Sequence, residues 1–166
     1  MNKELLLKYS LFNNLTEKEI EKFLKVIKNK TYKSNEIIIK EHELGNSIML
    51  LLQGTVNISK ALTLKMNHIE KREKEFIKLN SNQYPFFGEI SVFNEKNKRT
   101  ATITADAECT VGILYNEDLI KICKNNKEIG YKIMTNISKK LVDDLLATNN
   151  QVLKLTTAFS LIIEKK

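Results

Sequence analysis

Hydrophobic residues at the start of the chain recur with the spacing of short helices. The segment Thr16-Glu17-Lys18-Glu19 has the form of a capping box. The apolar residues that follow it share one helical face: Ile20, Phe23, Leu24 and Ile27. Leucines between Asn2 and Tyr9 predict an earlier turn or two of helix. Both segments are expected to pack on the domain that follows them.

From residue 30 the apolar and β-branched residues occur in short runs that are typical of strands. The runs, separated by turn residues near Ser34, Gly45 and Gly54, cover 31–33, 36–40, 47–53 and 55–61. Four strands at this spacing predict an antiparallel β-barrel or β-roll. Residues 62–75 are rich in charge, which favours an extended solvated hairpin, with a partner-binding protrusion as the alternative. The sheet is expected to resume at 76–79.

Two further strands and a short helix are predicted downstream. Residues 100–105 alternate threonine with alanine or isoleucine, which predicts a strand that buries its alanine face and turns its threonine face to solvent or a pocket. Residues 109–115 form the last predicted strand. Asn116 is expected to cap a helix over 117–123, whose first turn is acidic.

The last forty residues predict one long helix with two apolar stripes. No proline interrupts residues 128–165, and a helix of that length spans about 57 Å. One stripe is expected to face the domain: Ile129, Ile133 and Ile137. The other is a heptad seam: Leu141, Leu145, Thr148, Val152, Leu155, Phe159 and Ile162. The seam predicts a parallel helix pair in a homodimer, with a helix folded back on its own domain as the alternative.

These elements define an α+β fold, an antiparallel β-roll or jelly-roll barrel with N-terminal helices and a long C-terminal helix. The expected division is a β-roll unit over residues 1–125 and a helix over 126–166. With 166 residues, 42% of them hydrophobic and 28% charged, the chain can bury a core without disulfides. It lacks an apolar run of membrane-spanning length and a secretory signal pattern, so a cytoplasmic location is expected.

The charged and metal-ligating residues argue against two classes of function. The net charge of +7 invites nucleic-acid binding, but the charged blocks mix both signs, as solvated faces do. Nucleic acid is therefore an unlikely partner. The two cysteines and two histidines have no metal spacing and form no nucleophile–base pair in sequence. We expect neither a metal nor an enzyme.

Residues 85–105 contain the most informative chemistry. Gly88 permits a backbone conformation closed to other residues, and a short helix after Glu89 would direct unpaired N–H groups at an anion. Of the 27 lysines and arginines, only Arg72 and Arg99 are arginines. The planar guanidinium of Arg99 can bond two phosphate oxygens at once. A carboxylate and a guanidinium in this arrangement suit a nucleotide, although an Arg–Glu pair that only pins a loop would have the same sequence.

This segment resembles the phosphate-binding cassette of the cyclic nucleotide-binding domain family. The matching residues are Phe87, Gly88, Glu89, Ile90, Ser91, Arg99, Thr100 and Ala101. The resemblance implies that Glu89 accepts the ribose 2′-hydroxyl and that Arg99 pairs with the cyclic phosphate. It also implies that backbone N–H groups near Ser91 and Thr100 complete the phosphate site. Lys98 departs from the family pattern, which usually has proline before the arginine.

The resemblance extends to the expected base-binding surface and to two glycines. It implies that Ile58, Ile77 and Leu79 form the wall against which the base rests, although a barrel interior requires the same residues. Polar residues of the terminal helix contact the base in catabolite-activator-type relatives, which suggests Thr148 and Asn149 here. A seam residue such as Thr148 could instead only fix the register of the helix pair. Gly45 and Gly54 match the family's turn glycines, for which turn geometry is a sufficient explanation.

The resulting expectation is a cytoplasmic receptor for cAMP or cGMP that signals by moving its terminal helix. It needs no cofactor, and its partners are the nucleotide, a second copy of the chain and an unknown effector protein. The alternative is a domain of the same fold that binds no ligand and acts as a dimeric scaffold. Because no DNA-binding segment follows the helix before Lys166, we expect a sensor without an attached effector or a segment of a larger protein.

Overall fold

A computed structural model describes residues 1–61, 73–93, 96 and 98–164 of the chain. Most of the predicted hairpin over 62–75 lies outside the described residues. The helices are α1 (Lys3–Leu6), α2 (Glu17–Leu24), α3 (Ile90–Phe93), α4 (Asn116–Asn125) and α5 (Lys127–Glu164). The strands are β1 (Lys28–Tyr32), β2 (Ile37–Ile39), β3 (Ser47–Gln53), β4 (Thr55–Ala61), β5 (Glu73–Asn80), β6 (Phe86–Phe87), β7 (Thr102–Ala105) and β8 (Cys109–Tyr115).

The strands form two four-stranded antiparallel sheets that enclose the interior of a β-roll. One sheet has the order β1-β8-β3-β6 and the other has the order β2-β7-β4-β5. β6 and β7, which flank the cassette, therefore belong to different sheets. The predicted fold class is confirmed: an α+β protein with an antiparallel roll, N-terminal helices and a long C-terminal helix.

Two apolar cores hold the roll and the helices together. The inner core lies between the sheets and includes Leu51, Val56 and Val111. The outer core packs the N-terminal helices and α5 against the other face of β3 and β8, through residues such as Phe12, Phe23 and Ile133. Both faces of β3 are therefore buried, which explains its continuous apolar run.

Local sequence signals give the correct start of α2 but not of α4. The capping box is present, since Thr16 Oγ1 accepts a hydrogen bond from Glu19 N and Glu19 accepts one from Thr16 N. Asn116 was predicted to be the N-cap of α4, but it is not the N-cap in the structure. The helix begins at Asn116 itself after Tyr115, and Asn116 Oδ1 is buried without a hydrogen-bond partner. The backbone of β8 continues to Tyr115 and sets this boundary.

The predicted separation of alanine and threonine faces in β7 is only partly correct. Ile103 and Ala105 are buried as expected, but Thr102 is buried too. Its hydroxyl accepts a hydrogen bond from the backbone N–H of Glu41, 3.2 Å away. A backbone N–H therefore satisfies a side chain that we had expected to face solvent or a pocket.

The first half of α5 packs on the domain and its second half does not. Ile129, Ile133 and Ile137 are buried, as predicted. The seam residues from Leu141 to Ile162 are exposed, so this part of the helix does not fold back on its own domain. Within the described residues, no helix combines the length and apolar character needed to cross a membrane.

Asn136 joins α5 to the N-terminal segment, and its loss should be costly. Its amide nitrogen donates to Leu11 O at 3.0 Å and to Asn13 O at 2.9 Å in a buried position. We expect Asn136→Ala to lower the free energy of unfolding by about 1–3 kcal/mol, because it leaves the buried carbonyl of Leu11 without this donor. Urea denaturation measures this change. The exposed Asn149→Ala serves as the control and should have little effect; equal stability of both variants would contradict the assigned role.

Candidate functional site

The site is built where the turn after β6 meets the loop before β7. Gly88 has a φ of 88°, a left-handed conformation that strongly favours glycine and that turns the chain into α3. Arg99 is held from its backbone by the segment between β2 and β3. Its N–H donates to Glu43 O, and its carbonyl accepts from His42 N, both at 2.9 Å. These contacts fix the position from which the arginine side chain enters the domain.

The Arg99 guanidinium is buried, with the residue only 7% exposed. Nη1 donates to Ser91 Oγ at 2.8 Å and to the carbonyls of Ser47 and Gly88 at 3.0 Å. Nη2 donates to Ser47 Oγ at 3.1 Å. These bonds fix the plane of the guanidinium. A guanidinium has five N–H donors, and these bonds use both N–H groups of Nη1 and one of Nη2.

Two glycines make room for this guanidinium. A Cβ on Gly45 would lie 2.5 Å from Arg99 Cζ and 2.6 Å from Ser91 Oγ, and one on Gly88 would overlap Arg99 Nη1. Turn geometry does explain Gly54, whose φ is 89°. It does not explain Gly45, which has no left-handed backbone. Gly45 is therefore part of the site, and the explanation from turn geometry alone is wrong for it.

Glu89 is buried and forms an ion pair with the terminal helix. The residue is 3% exposed, and its Oε1 lies 2.7 Å from Lys140 Nζ. The same ammonium lies 2.6 Å from Asp144 Oδ2, one helical turn further along α5. It also stands over the Phe86 ring, 5.4 Å from the ring centroid. Lys140 thus connects the cassette to α5.

The pKa values of the two cations of the site, Arg99 and Lys140, are shifted in opposite directions. Burial lowers the pKa of Arg99 below its usual value, and the nearby charge of Glu89 opposes this shift. For Lys140, burial also favours the neutral form. The charge of Glu89 and the hydrogen bonds to Asp144 and Glu89 outweigh it, so the pKa of Lys140 is raised. The lysine is therefore held in its charged form beside the carboxylate.

Glu89 and Arg99 line one cavity of about 170 Å³. The other predicted residues on its wall are Ile58, Phe87, Gly88, Ile90, Ser91, Thr100 and Ala101, and Lys140 and Asp144 line it from the helix. A neighbouring cavity of about 370 Å³ shares Ile58, Phe87, Lys140 and Asp144 with the first. Ile77, Leu79 and Thr148 line this second cavity, whereas Asn149 lines neither. The structure thus gathers every predicted site residue except Asn149 around two adjoining cavities.

A sequence model of the family described as "Cyclic nucleotide-binding domain" matches residues 29–126, more than half of the chain. The chain belongs to this family. The match runs from the second residue of β1 to the residue after α4, so the predicted family is confirmed. All of α5 lies beyond the matched residues.

The individual proteins that this chain resembles are distant in sequence or much larger than the chain. The cGMP-dependent protein kinase egl-4 of Caenorhabditis elegans is 32% identical over 102 residues, which are 61% of this chain and 12% of the kinase. The chain therefore corresponds to about one eighth of that kinase. The solved structure described as cAMP-bound PfPKA-R (141–441) is 28% identical, with a TM-score of 0.61 over 72% of this chain and 39% of that one.

The fold of the chain is similar to that of a solved cyclic nucleotide-binding domain. A domain of this kind from Methylobacillus flagellatus KT superposes with a TM-score of 0.76 at 19% identity, over 90% of this chain and 79% of that one. At this identity the similarity shows the fold alone. It includes part of α5, since 90% of the chain is covered.

Sequence reasoning missed Gly45 as a contributor to the domain's site, and it missed Lys140 and Asp144. A signal for Lys140 is present in the sequence, because it lies three residues after Ile137 on the buried stripe of α5, where a lysine needs a partner. Gly45 has no comparable signal, since its role depends on a side chain 54 positions away in the sequence. In the described part of the chain, no group of three or more His, Cys, Asp or Glu could hold a metal.

Proposed function

We propose that this domain is a receptor for a 3′,5′-cyclic nucleotide, cAMP or cGMP. The observation that carries the proposal is that Glu89 and Arg99 line the same cavity, next to the backbone of Gly88. A carboxylate that accepts hydroxyl donors and a guanidinium that binds phosphate match the two polar ends of a cyclic ribose phosphate. The names of two relatives support the ligand class, since one is a cGMP-dependent kinase and another is a cAMP-bound protein.

In this proposal the ligand lies across both cavities. The cyclic phosphate contacts Arg99 and backbone N–H groups near Ser91 and Thr100, while the ribose 2′-hydroxyl donates to Glu89. Phe87, Gly88, Ile90 and Ala101 form the remaining cassette wall. The base extends along Ile58, Ile77 and Leu79 towards Thr148, which lines the second cavity. Asn149 lies outside both cavities, so any contact that it makes with a ligand would be with the ligand of a second subunit.

Titration calorimetry with cAMP and cGMP tests the proposal directly. We expect saturable binding of at least one of the two, and 5′-AMP and 5′-GMP serve as controls that lack the cyclic diester. Absence of heat and of any thermal stabilisation with both cyclic nucleotides would overturn the proposal. The ratio of the two dissociation constants would identify the preferred base.

A scaffold that binds no nucleotide is the second candidate, and the small first cavity favours it. Its volume of about 170 Å³ is below the range of about 300–1,000 Å³ that is usual for ligand sites. The Lys140 ammonium already satisfies the Glu89 carboxylate. A scaffold would retain its partner and its oligomeric state after Glu89 and Arg99 are replaced. A receptor would lose ligand binding.

We also propose that the exposed seam of α5 pairs with a second copy of the chain and that ligand binding changes the pose of this helix. A ligand shifts such an equilibrium only through contacts that differ between the two poses. The seam gives seven positions at heptad spacing on a helix of 38 residues, and its apolar members are exposed in the single chain. A parallel helix pair would bury these side chains.

Charges in the seam should dissociate the dimer. We expect Leu145→Glu combined with Leu155→Glu to convert a dimer into a monomer, because buried like charges oppose helix pairing. The matched control is Asn150→Glu combined with Thr157→Glu on the opposite side of α5. Sedimentation velocity distinguishes the two forms. A wild-type chain that stays monomeric at high concentration would exclude this dimer.

A further inference from the structure

Lys140 stands at the point where α5 leaves the domain. It is the last residue of the helix that is not exposed in the described part of the chain, since residues 141–163 are all exposed. Before it, Asn136 and Lys132 attach the helix through Leu11, Asn13 and Glu19. The pair with Glu89 is therefore the contact through which the cassette holds the start of the free segment.

The Lys140 ammonium occupies the place that a ligand hydroxyl would need. Glu89 is almost completely buried, and its Oε1 receives the ammonium at 2.7 Å. Lys140 and Asp144 also line the cavity that Glu89 and Arg99 share. A sugar that donates to Glu89 must therefore displace the ammonium or bind in what space remains beside it.

Asp144 gives the displaced ammonium a second carboxylate. It lies one turn further along the same helix, 2.6 Å from Lys140 Nζ, and its side chain is 55% exposed. The lysine can release Glu89 and keep Asp144 without leaving its own helix. An (i, i+4) pair of this kind is an ordinary contact on a helix surface. The exchange leaves the buried carboxylate of Glu89 with a hydrogen-bond donor, because the ligand hydroxyl replaces the ammonium there.

We propose that Lys140 competes with the nucleotide sugar for Glu89 and that Asp144 retains the ammonium when the ligand displaces it. The inference rests on the proposed nucleotide binding and adds the contact through which α5 responds to the ligand. Binding breaks the Lys140–Glu89 pair and so releases the start of the exposed segment. In the ligand-free domain the same pair holds the helix against the cassette.

Four variants on one helix test the competition by calorimetric titration with cAMP and cGMP. Lys140→Met should lower the dissociation constant about tenfold if the pair is closed in about nine of ten molecules. Lys139→Met is the matched control on the exposed side. Asp144→Asn should raise the constant about twofold, because the ammonium then has only Glu89 as a charged partner. Asp143→Asn is its control, and neither control should change binding.

A second measurement tests the pair without any ligand. In urea denaturation of the ligand-free protein, Lys140→Met and Glu89→Gln should each lower the midpoint. The double variant should lower it by less than the sum of the two. Additive midpoint changes would show that the two side chains do not interact in solution and would overturn the inference.

The outcomes separate this inference from the proposed function. If the wild type binds a nucleotide and Lys140→Met binds it equally or more weakly, the competition is overturned and the proposed receptor function stands. Tighter binding of both Lys140→Met and Asp144→Asn overturns the role of Asp144 as the second carboxylate. If neither the wild type nor any of the four variants binds cAMP or cGMP, both the proposed receptor function and the competition are overturned.

Discussion

Replacing Arg99 by alanine should raise the dissociation constant for cAMP and cGMP by about 30-fold to about 4,000-fold. Removal of one partner from a buried, hydrogen-bonded charge pair costs about 2–5 kcal/mol, and each 1.4 kcal/mol is a factor of about ten. Arg99→Lys should also bind poorly, because an ammonium cannot reproduce the planar fork that bonds Ser47, Gly88 and Ser91. Isothermal titration calorimetry measures both effects.

The control for this prediction must separate binding from folding. Arg99 also donates to the buried carbonyl of Ser47 and to the half-buried carbonyl of Gly88, so its loss should destabilise the domain by about 1–3 kcal/mol. Urea denaturation quantifies this part, and binding is measured where the variant remains folded. The adjacent exposed Lys98→Ala removes a positive charge outside the cavity and should leave binding unchanged. A folded Arg99→Ala variant that binds within about tenfold of the wild type, a difference of about 1.4 kcal/mol, would exclude the phosphate role.

Adding a single methyl group at Gly45 should weaken binding nearly as much. In Gly45→Ala the new Cβ would lie 2.5 Å from Arg99 Cζ, so the guanidinium must move. The guanidinium is the end of a flexible side chain, so it can swing away while the backbone stays in place. We expect a loss of about 100-fold in affinity, in line with the cost of losing one partner of a buried charged contact. The lost hydrogen bonds should reduce stability by about 1–3 kcal/mol.

Gly54→Ala is the matched control for this glycine. Gly54 has a φ of 89° and lies close to Glu108 and Cys109, so an alanine there should strain the turn. It lines neither cavity. We therefore expect Gly54→Ala to lower the urea midpoint while the folded protein binds normally. The position of Gly45 against Arg99 would be refuted if Gly45→Ala bound as tightly as Gly54→Ala.

The cassette could be predicted because its chemistry is local in sequence. Gly88, Glu89 and Arg99 were identified from residue type and spacing, and the family to which this segment was assigned is confirmed. The structure places these residues on one cavity, and their roles towards a ligand remain predictions. The explanation of Gly45 from turn geometry was wrong because only the folded chain brings the Arg99 side chain over it.

For the helix at the end of the chain too, some features were predicted from the sequence and others were not. Its length and its buried isoleucine stripe follow from a 3.6-residue period and the absence of proline, and the structure confirms both. The start of α4 was missed by one residue because the last strand, not the asparagine, sets it. Thr148 lies on the second cavity and Asn149 does not, because a helix rotates adjacent residues by about 100° and only one of them can face the pocket.

The sequence by itself determined the helices, most of the strands, the fold class and the pair of charges in the cassette. Each of these depends on the period of apolar residues or on residue types that lie close together along the chain. Only the tertiary structure decided what Glu89 and Arg99 contact before any ligand binds. Lys140 reaches Glu89 from 51 positions away, and Gly45 and Ser47 enclose Arg99 from another loop. Such contacts depend on the packing of two sheets and α5, and no local spacing encodes them.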